Sequence, residues 1–145
     1  MAVEEARARL RDHGHGVLST LHPERGVDAV PVVYALGESA DGHLGEVGVP
    51  VDRVKPKSST RLQRQANLEA DPRATLLVER WEPDDWSALW WVRAELRHVA
   101  DPDATTVDRL AGALAARWEP YRDRPFEHVL VLRVVALTGW SATPP

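Results

Sequence analysis

The residues best suited to chemistry lie in one short stretch, Arg53-Val54-Lys55-Pro56-Lys57-Ser58-Ser59-Thr60, followed by Arg61 and Arg64. Between Arg53 and Arg73 only Glu69 and Asp71 oppose the basic side chains, although the chain as a whole carries a net charge of -4. The excess is therefore local. Ammonium and guanidinium groups beside hydroxyls, placed where a helix opens, are the donors that bind phosphate. The competing reading is a solvated basic loop. A nucleic-acid surface fits less well, because the overall charge is acidic and the strands carry no basic-aromatic repeat.

A second cluster is Trp86-Ser87-Ala88-Leu89-Trp90-Trp91-Val92-Arg93. In a regular strand Trp90 and Trp91 point to opposite faces. One ring belongs in the core, and the other stays exposed unless a ligand or a second subunit covers it. Arg93 shares the Trp91 face. A guanidinium beside an aromatic ring suits an anionic, ring-containing ligand or an ion pair across a dimer. Packing in core and interface, with no ligand, explains the same residues.

Other chemistries find little support. The chain has no cysteine, which excludes disulfides, thiolate nucleophiles and cysteine metal ligands. Its histidines, His13, His15, His22, His43, His98 and His128, are scattered, so no metal is expected. Asp84 and Asp85 read as a solvated turn. No nucleophile elbow, dinucleotide fingerprint or phosphate-binding Walker loop is present. A site with anion donors and aromatic walls, but no recognisable acid, base or nucleophile, suits a bound redox cofactor that does the chemistry itself.

The elements that must position these groups follow from periodicity. Val3, Ala6 and Leu10 predict a helix over 3–12, closed by the Gly14 and Gly16 region. Strands are expected over 16–21, 27–36 and 43–49, the second holding Pro31 and therefore at an edge or irregularity. A short helix over 60–68, capped by Ser58, Ser59 or Thr60, follows the basic segment. Strands over 73–81 and 89–99 are separated by the acidic turn Glu82-Pro83-Asp84-Asp85. Val107, Leu110, Ala111, Leu114 and Trp118 form the apolar stripe of a helix over 101–118. A last strand runs over 128–138. Strands joined mostly by short turns, without a strand-helix repeat, disfavour a doubly wound sheet and predict a small antiparallel barrel with peripheral helices.

The 145 residues read as one domain, 1–145, with ordinary apolar (43%) and charged (28%) fractions. No basic region followed by an apolar run opens the sequence, and no stretch is long enough to span a membrane. A cytoplasmic protein with neither membrane nor nucleic-acid partners is expected.

Taken together, Val51-Asp52-Arg53-Val54-Lys55-Pro56-Lys57, Leu62, Asn67-Leu68, Asp71-Pro72-Arg73-Ala74 and Leu76-Leu77-Val78 resemble the pyridoxamine 5'-phosphate oxidase-like superfamily. Within it, the chain resembles the small branch that depends on the deazaflavin coenzyme F420. Gly16 to Leu21, Ala29 to Ala35, Asp84-Asp85-Trp86-Ser87, Leu89 to Ala94 and Leu137 to Ala142 extend the likeness from about Ala6 to Ala142. The resemblance implies a mainly β fold, an antiparallel, Greek-key-like split β-barrel of the FMN-binding type. It implies a homodimer with cofactor at the subunit interface and a small-molecule substrate. Lys55, Lys57, Ser58 and Ser59 would then meet the cofactor phosphate, and Arg61 and Arg64 the phosphate or the acidic tail. Ser19, Pro31 and Val32 would lie near the ring, with Trp91, Arg93 and Trp140 around the pocket. The implied activity is hydride transfer between F420 and a small organic acceptor. FMN-dependent chemistry on the same scaffold and non-catalytic cofactor carriage are the alternatives.

Overall fold

The computed structural model describes residues 1–38, 44–53 and 62–143. Helix α1 (Val3–His13) is followed by strands β1 (His15–His22), β2 (Gly26–Val33), β3 (Ala35–Gly37) and β4 (Glu46–Asp52). Helix α2 (Gln63–Ala70) leads to β5 (Arg73–Arg80) and β6 (Trp90–His98), and α3 (Ala104–Arg117) leads to β7 (Phe126–Ser141). Single 3-10 turns at Trp86–Ala88 and Glu119–Tyr121 join the later elements.

The strands form one sheet in the order β2-β1-β5-β6-β7-β4-β3, and every pairing is antiparallel. The sheet curls until β2 again touches β4. Its concave face holds the main core, including Leu18, Val49, Leu76, Val92, Ala94 and Leu132. α1 closes one end through Ala6 and Leu10, and α2 adds Leu68. α3 packs outside with a smaller cluster built on Leu110, Leu114, Tyr121 and Val131.

Pro31 lies in β2, an edge strand, as its missing donor requires. The strand expected over 27–36 is instead broken at Tyr34. That side chain is fully buried and its hydroxyl donates to the Leu10 carbonyl, while its backbone N–H donates to the Gly14 carbonyl (2.9 Å). Capturing Tyr34 against the end of α1 turns the chain out of β2 and sends β3 to the opposite edge of the sheet.

The third expected strand, 43–49, begins at Glu46 and runs through Pro50 to Asp52. Pro50 is tolerated because β3 pairs no farther along β4 than Gly48, which leaves β4 with an open side at that point. The helix expected to open at Thr60 opens at Gln63, with Leu62 at the cap position. Its first turn is closed by Gln65, whose Oε1 accepts the Leu62 N–H at 2.9 Å; the expected caps Ser58, Ser59 and Thr60 lie outside the described residues. α1 ends at Gly14 in the left-handed region (φ 77), where the Arg117 guanidinium from α3 donates to the Arg11 and Asp12 carbonyls.

Candidate functional site

Strand alternation divides the residues expected near the cofactor ring. Every second residue of a strand turns inward and its neighbours turn outward. In β1 the inward residue is Leu18 and the outward ones are Val17 and Ser19. Register then assembles the outward set. One row across the convex face reads Pro31, Val17, Leu77, Arg93 and Thr138. The next reads Ala29, Ser19, Thr75, Glu95 and Ala136. Trp91 pairs with Trp140 on β7 and with Glu79 on β5. Thus Ser19, Pro31, Trp91, Arg93 and Trp140 share one face. Val32 does not join them: it lies one residue from Pro31, is buried, and packs in the main core.

The two adjacent tryptophans part as alternation requires. Trp90 packs against the core, edge-on to His13 and under the Arg9 guanidinium at 4.8 Å. Trp91 lies outside with the Arg93 guanidinium 5.8 Å from its ring centroid. Among the described residues no carboxylate pairs with Arg93. Trp140 is 46% exposed beside them. Below this aromatic group lies an open groove of about 400 Å³, lined by Ser19, Thr75, Arg73, Arg93, Glu95 and Arg97. Arg73 is held by Asp71 at 2.7 Å, which drops the Asp71 carboxyl to about 2. Guanidinium and hydroxyl donors dominate the groove, with Glu95 opposing them, and that donor set suits an anionic group.

Arg64 sits on the first turn of α2. Its Nη2 donates to the Pro50 carbonyl at 3.3 Å, and burial holds its guanidinium below the ordinary arginine value, partly offset by the buried Asp52 carboxylate. Its Nε is buried with no hydrogen-bond partner among the described residues. Asp52 also accepts from the buried Tyr121 hydroxyl. Arg53 is tied down at the other end of the basic segment. Its N–H reaches the Pro125 carbonyl (3.0 Å), and its Nη2 reaches that of Phe126 (3.2 Å). The segment thus leaves the sheet and enters the helix at fixed points. Lys55, Lys57, Ser58, Ser59 and Arg61 lie outside the described residues, as does His43.

Convex face, curl and edge strands together decide the architecture. The fold is that of the flavin-binding split β-barrels. A conserved hypothetical protein of Mycobacterium tuberculosis, Rv2991, matches over 98% of this chain and 86% of its own, with a TM-score of 0.71 and 19% identity. An FMN-binding protein from Syntrophomonas wolfei subsp. wolfei matches over 96% and 86%, with a TM-score of 0.65 and 17% identity. A haem-binding protein from Mycobacterium smegmatis matches over 98% of this chain and 58% of its own, with a TM-score of 0.66 and 18% identity. No family profile and no curated protein matches the sequence. No described helix of the split barrel is long and apolar enough to cross a membrane.

Sequence reasoning missed several parts of this split barrel. Thr75 and Arg97 join the groove only through the β1-β5-β6 register, which no single strand reveals. Asn67 stands out in the sequence only as part of a resemblance. In the structure it is buried and binds α2 to the sheet: its Nδ2 donates to Thr20 Oγ1 (3.0 Å) and Asp28 Oδ2 (2.9 Å), and its Oδ1 accepts from Gln63 (3.0 Å). A polar residue inside the apolar spacing of a short helix was the available signal.

Proposed function

We propose that this chain is an F420-dependent oxidoreductase that works as a homodimer. Lys55, Lys57, Ser58, Ser59, Arg61 and the unpartnered nitrogen of Arg64 would hold the cofactor's phosphate and acidic tail. Ser19, Pro31, Trp91, Arg93 and Trp140 would hold its ring. The observation that carries the reading is the convex face itself. Trp91 and Arg93 are stacked there, and among the described residues Arg93 has no carboxylate partner, beside a groove of matching donors. A core or solvent face has no need of that combination.

When bound, the reduced deazaflavin supplies a hydride to an activated double bond, and the acceptor takes up a proton to balance it. The chain's own residues then do three things. The cationic segment neutralises phosphate. Arg93 and the tryptophans orient a planar ring by cation-π and stacking contacts. The apolar strip of Val17 and Leu77 excludes water once it is covered. No side chain on the face is required as nucleophile.

FMN is the second reading, favoured by the FMN-binding protein of the same fold. The two are separated by titrating F420 and FMN side by side against the purified chain. Saturable F420 binding with FMN ignored supports the first reading. A yellow protein with a flavin spectrum replaces it with the second. Tight F420 binding without turnover over a broad panel of acceptors assigns a non-catalytic carrier. Binding of neither cofactor overturns the proposal.

A further inference from the structure

Asp52 ends β4 with only 2% of its surface exposed, and a buried carboxylate is costly unless donors and cations surround it. Its place follows from strand alternation and one irregularity. Val47, Val49 and Val51 pack in the main core, so Asp52 turns to the other side of β4, where Gly48 lies under Leu110. The β4–β7 register then slips. Val51 pairs with His128 but Asp52 pairs with Phe126, which passes over Glu127. A bulge of this kind re-aims the side chains beside it. Here the Asp52 carboxylate meets the buried Tyr121 hydroxyl, which donates to its Oδ2.

The turn that delivers Tyr121 is tightly closed. The Tyr121 ring stands edge-on to Phe126 with centroids 5.1 Å apart. The Tyr121 carbonyl accepts the Arg124 N–H at 2.8 Å, and the Arg124 carbonyl accepts the Phe126 N–H at 2.8 Å. This closure puts Arg124 at φ 51, the one described residue other than glycine in the left-handed region, and Asp108 ties its guanidinium at 2.7 Å. Backbone in that region persists where the surrounding contacts hold it. The same turn accepts from the backbone and side chain of Arg53 through the Pro125 and Phe126 carbonyls. Arg64 reaches this end of β4 from α2, through the Pro50 carbonyl, and keeps a buried Nε without a partner among the described residues. The groups that favour its charge there are Asp52 and Tyr121.

Resting on the cofactor reading above, we propose that Tyr121 and Asp52 are positioning residues for Arg64. Tyr121 fixes the carboxylate, and the carboxylate holds the guanidinium against β4. The unpartnered Nε is thereby kept in place for the phosphate or acidic tail of the cofactor. Neither Tyr121 nor Asp52 touches the cofactor; each acts through Arg64. A carboxylate beside an anion site opposes the anion by its own charge, so its use there lies in the cation it holds.

A double-mutant cycle on the full chain tests this. Tyr121→Phe keeps the ring and removes only the donor. It is expected to weaken F420 or FMN about fivefold, and Arg64→Ala is expected to weaken the same cofactor at least about tenfold. The two together should bind no more weakly than Arg64→Ala alone, while Tyr121→Phe lowers the melting temperature equally in both backgrounds. A hydroxyl that only stabilises the fold would weaken binding by the same factor with and without Arg64, and that additivity overturns the inference. Asp52→Asn keeps an acceptor for Tyr121 and removes the charge. It should show the same non-additive loss, and it decides the matter if Tyr121→Phe does not fold. Unchanged cofactor affinity in either folded variant overturns the inference and leaves the cofactor reading standing. If the natural chain binds neither cofactor, the cofactor reading fails and the cycle is run with inorganic pyrophosphate. A non-additive loss then supports the positioning of Arg64 for an anion, and additive losses or no pyrophosphate binding overturn it.

Discussion

The two faces of the same strands differ far more than any two strands differ from each other. Leu76 and Leu77 are neighbours in β5. Leu76 is fully buried among Leu18, Val92 and Leu96, whereas Leu77 is 40% exposed beside Val17 and Arg93. The concave face is apolar apart from Thr20, which is buried and bonded to Asn67. The convex face mixes exposed aliphatics, two tryptophans, hydroxyls and arginines, with Glu95 set among the arginines. Burial alone explains the first pattern. The second makes sense only as a surface that meets something planar, anionic or complementary.

The contrast can be broken by substitution, and the largest effect belongs to the core. Leu76→Ala should cost about 2–5 kcal/mol of stability in denaturant unfolding, because the packed concave face cannot collapse around the void. Leu77→Ala, one residue on, should cost within about 0.5 kcal/mol in the single chain. Equal costs would erase the distinction between the faces. Asn67→Ala should cost about 1–3 kcal/mol, since Thr20 and Asp28 lose a buried donor.

Next comes the basic segment. Lys55→Ala/Lys57→Ala should weaken the preferred cofactor by at least about tenfold, from lost charge-assisted contacts, with the unfolding curve unmoved. Unchanged affinity in the folded variant would remove these lysines from the site.

The smallest effect is on pH dependence. Burial holds the His13 and His98 imidazoles below their ordinary value of 6.5, with His15 and His128 respectively adding repulsion. The folded state therefore binds fewer protons than the unfolded chain. Their contribution to stability is full above pH 6.5 and is lost as the pH falls through the depressed folded values. Unfolding curves taken from about pH 7.5 down to about pH 5 should show this slope, and His13→Gln/His98→Gln should flatten it. An unchanged slope would assign the acid sensitivity to other groups.

Much of the architecture could be read from local pattern. The α3 stripe, the opposed Trp90 and Trp91, and the edge position of Pro31 each follow from periodicity or from a missing donor. What escaped the sequence was decided at long range. The break at Tyr34 comes from Leu10 and Gly14, and the extension of β4 through Pro50 comes from the shortness of β3. The late start of α2 comes from the Gln65 side chain. The site shows the same division. Trp91, Arg93, Trp140, Ser19 and Pro31 are expected near one another and share the convex face. Val32 adjoins Pro31 in sequence, yet alternation sends it to the core. Arg64, expected at the cofactor's phosphate or acidic tail, spends one nitrogen on the Pro50 carbonyl. Thr75 and Arg97 escape notice because a groove is a property of register, not of any one strand.

The central claim is that the convex face holds a cofactor ring, and Arg93 is its most exposed commitment. The direct measurement is a titration of F420 and FMN into the full chain and its Arg93→Ala variant, followed by tryptophan fluorescence. The account predicts saturable binding of one cofactor to the natural chain. It also predicts about tenfold weaker binding to the variant, the cost of one charge-assisted contact, at an unchanged melting temperature. Equal affinity in the two proteins would contradict it.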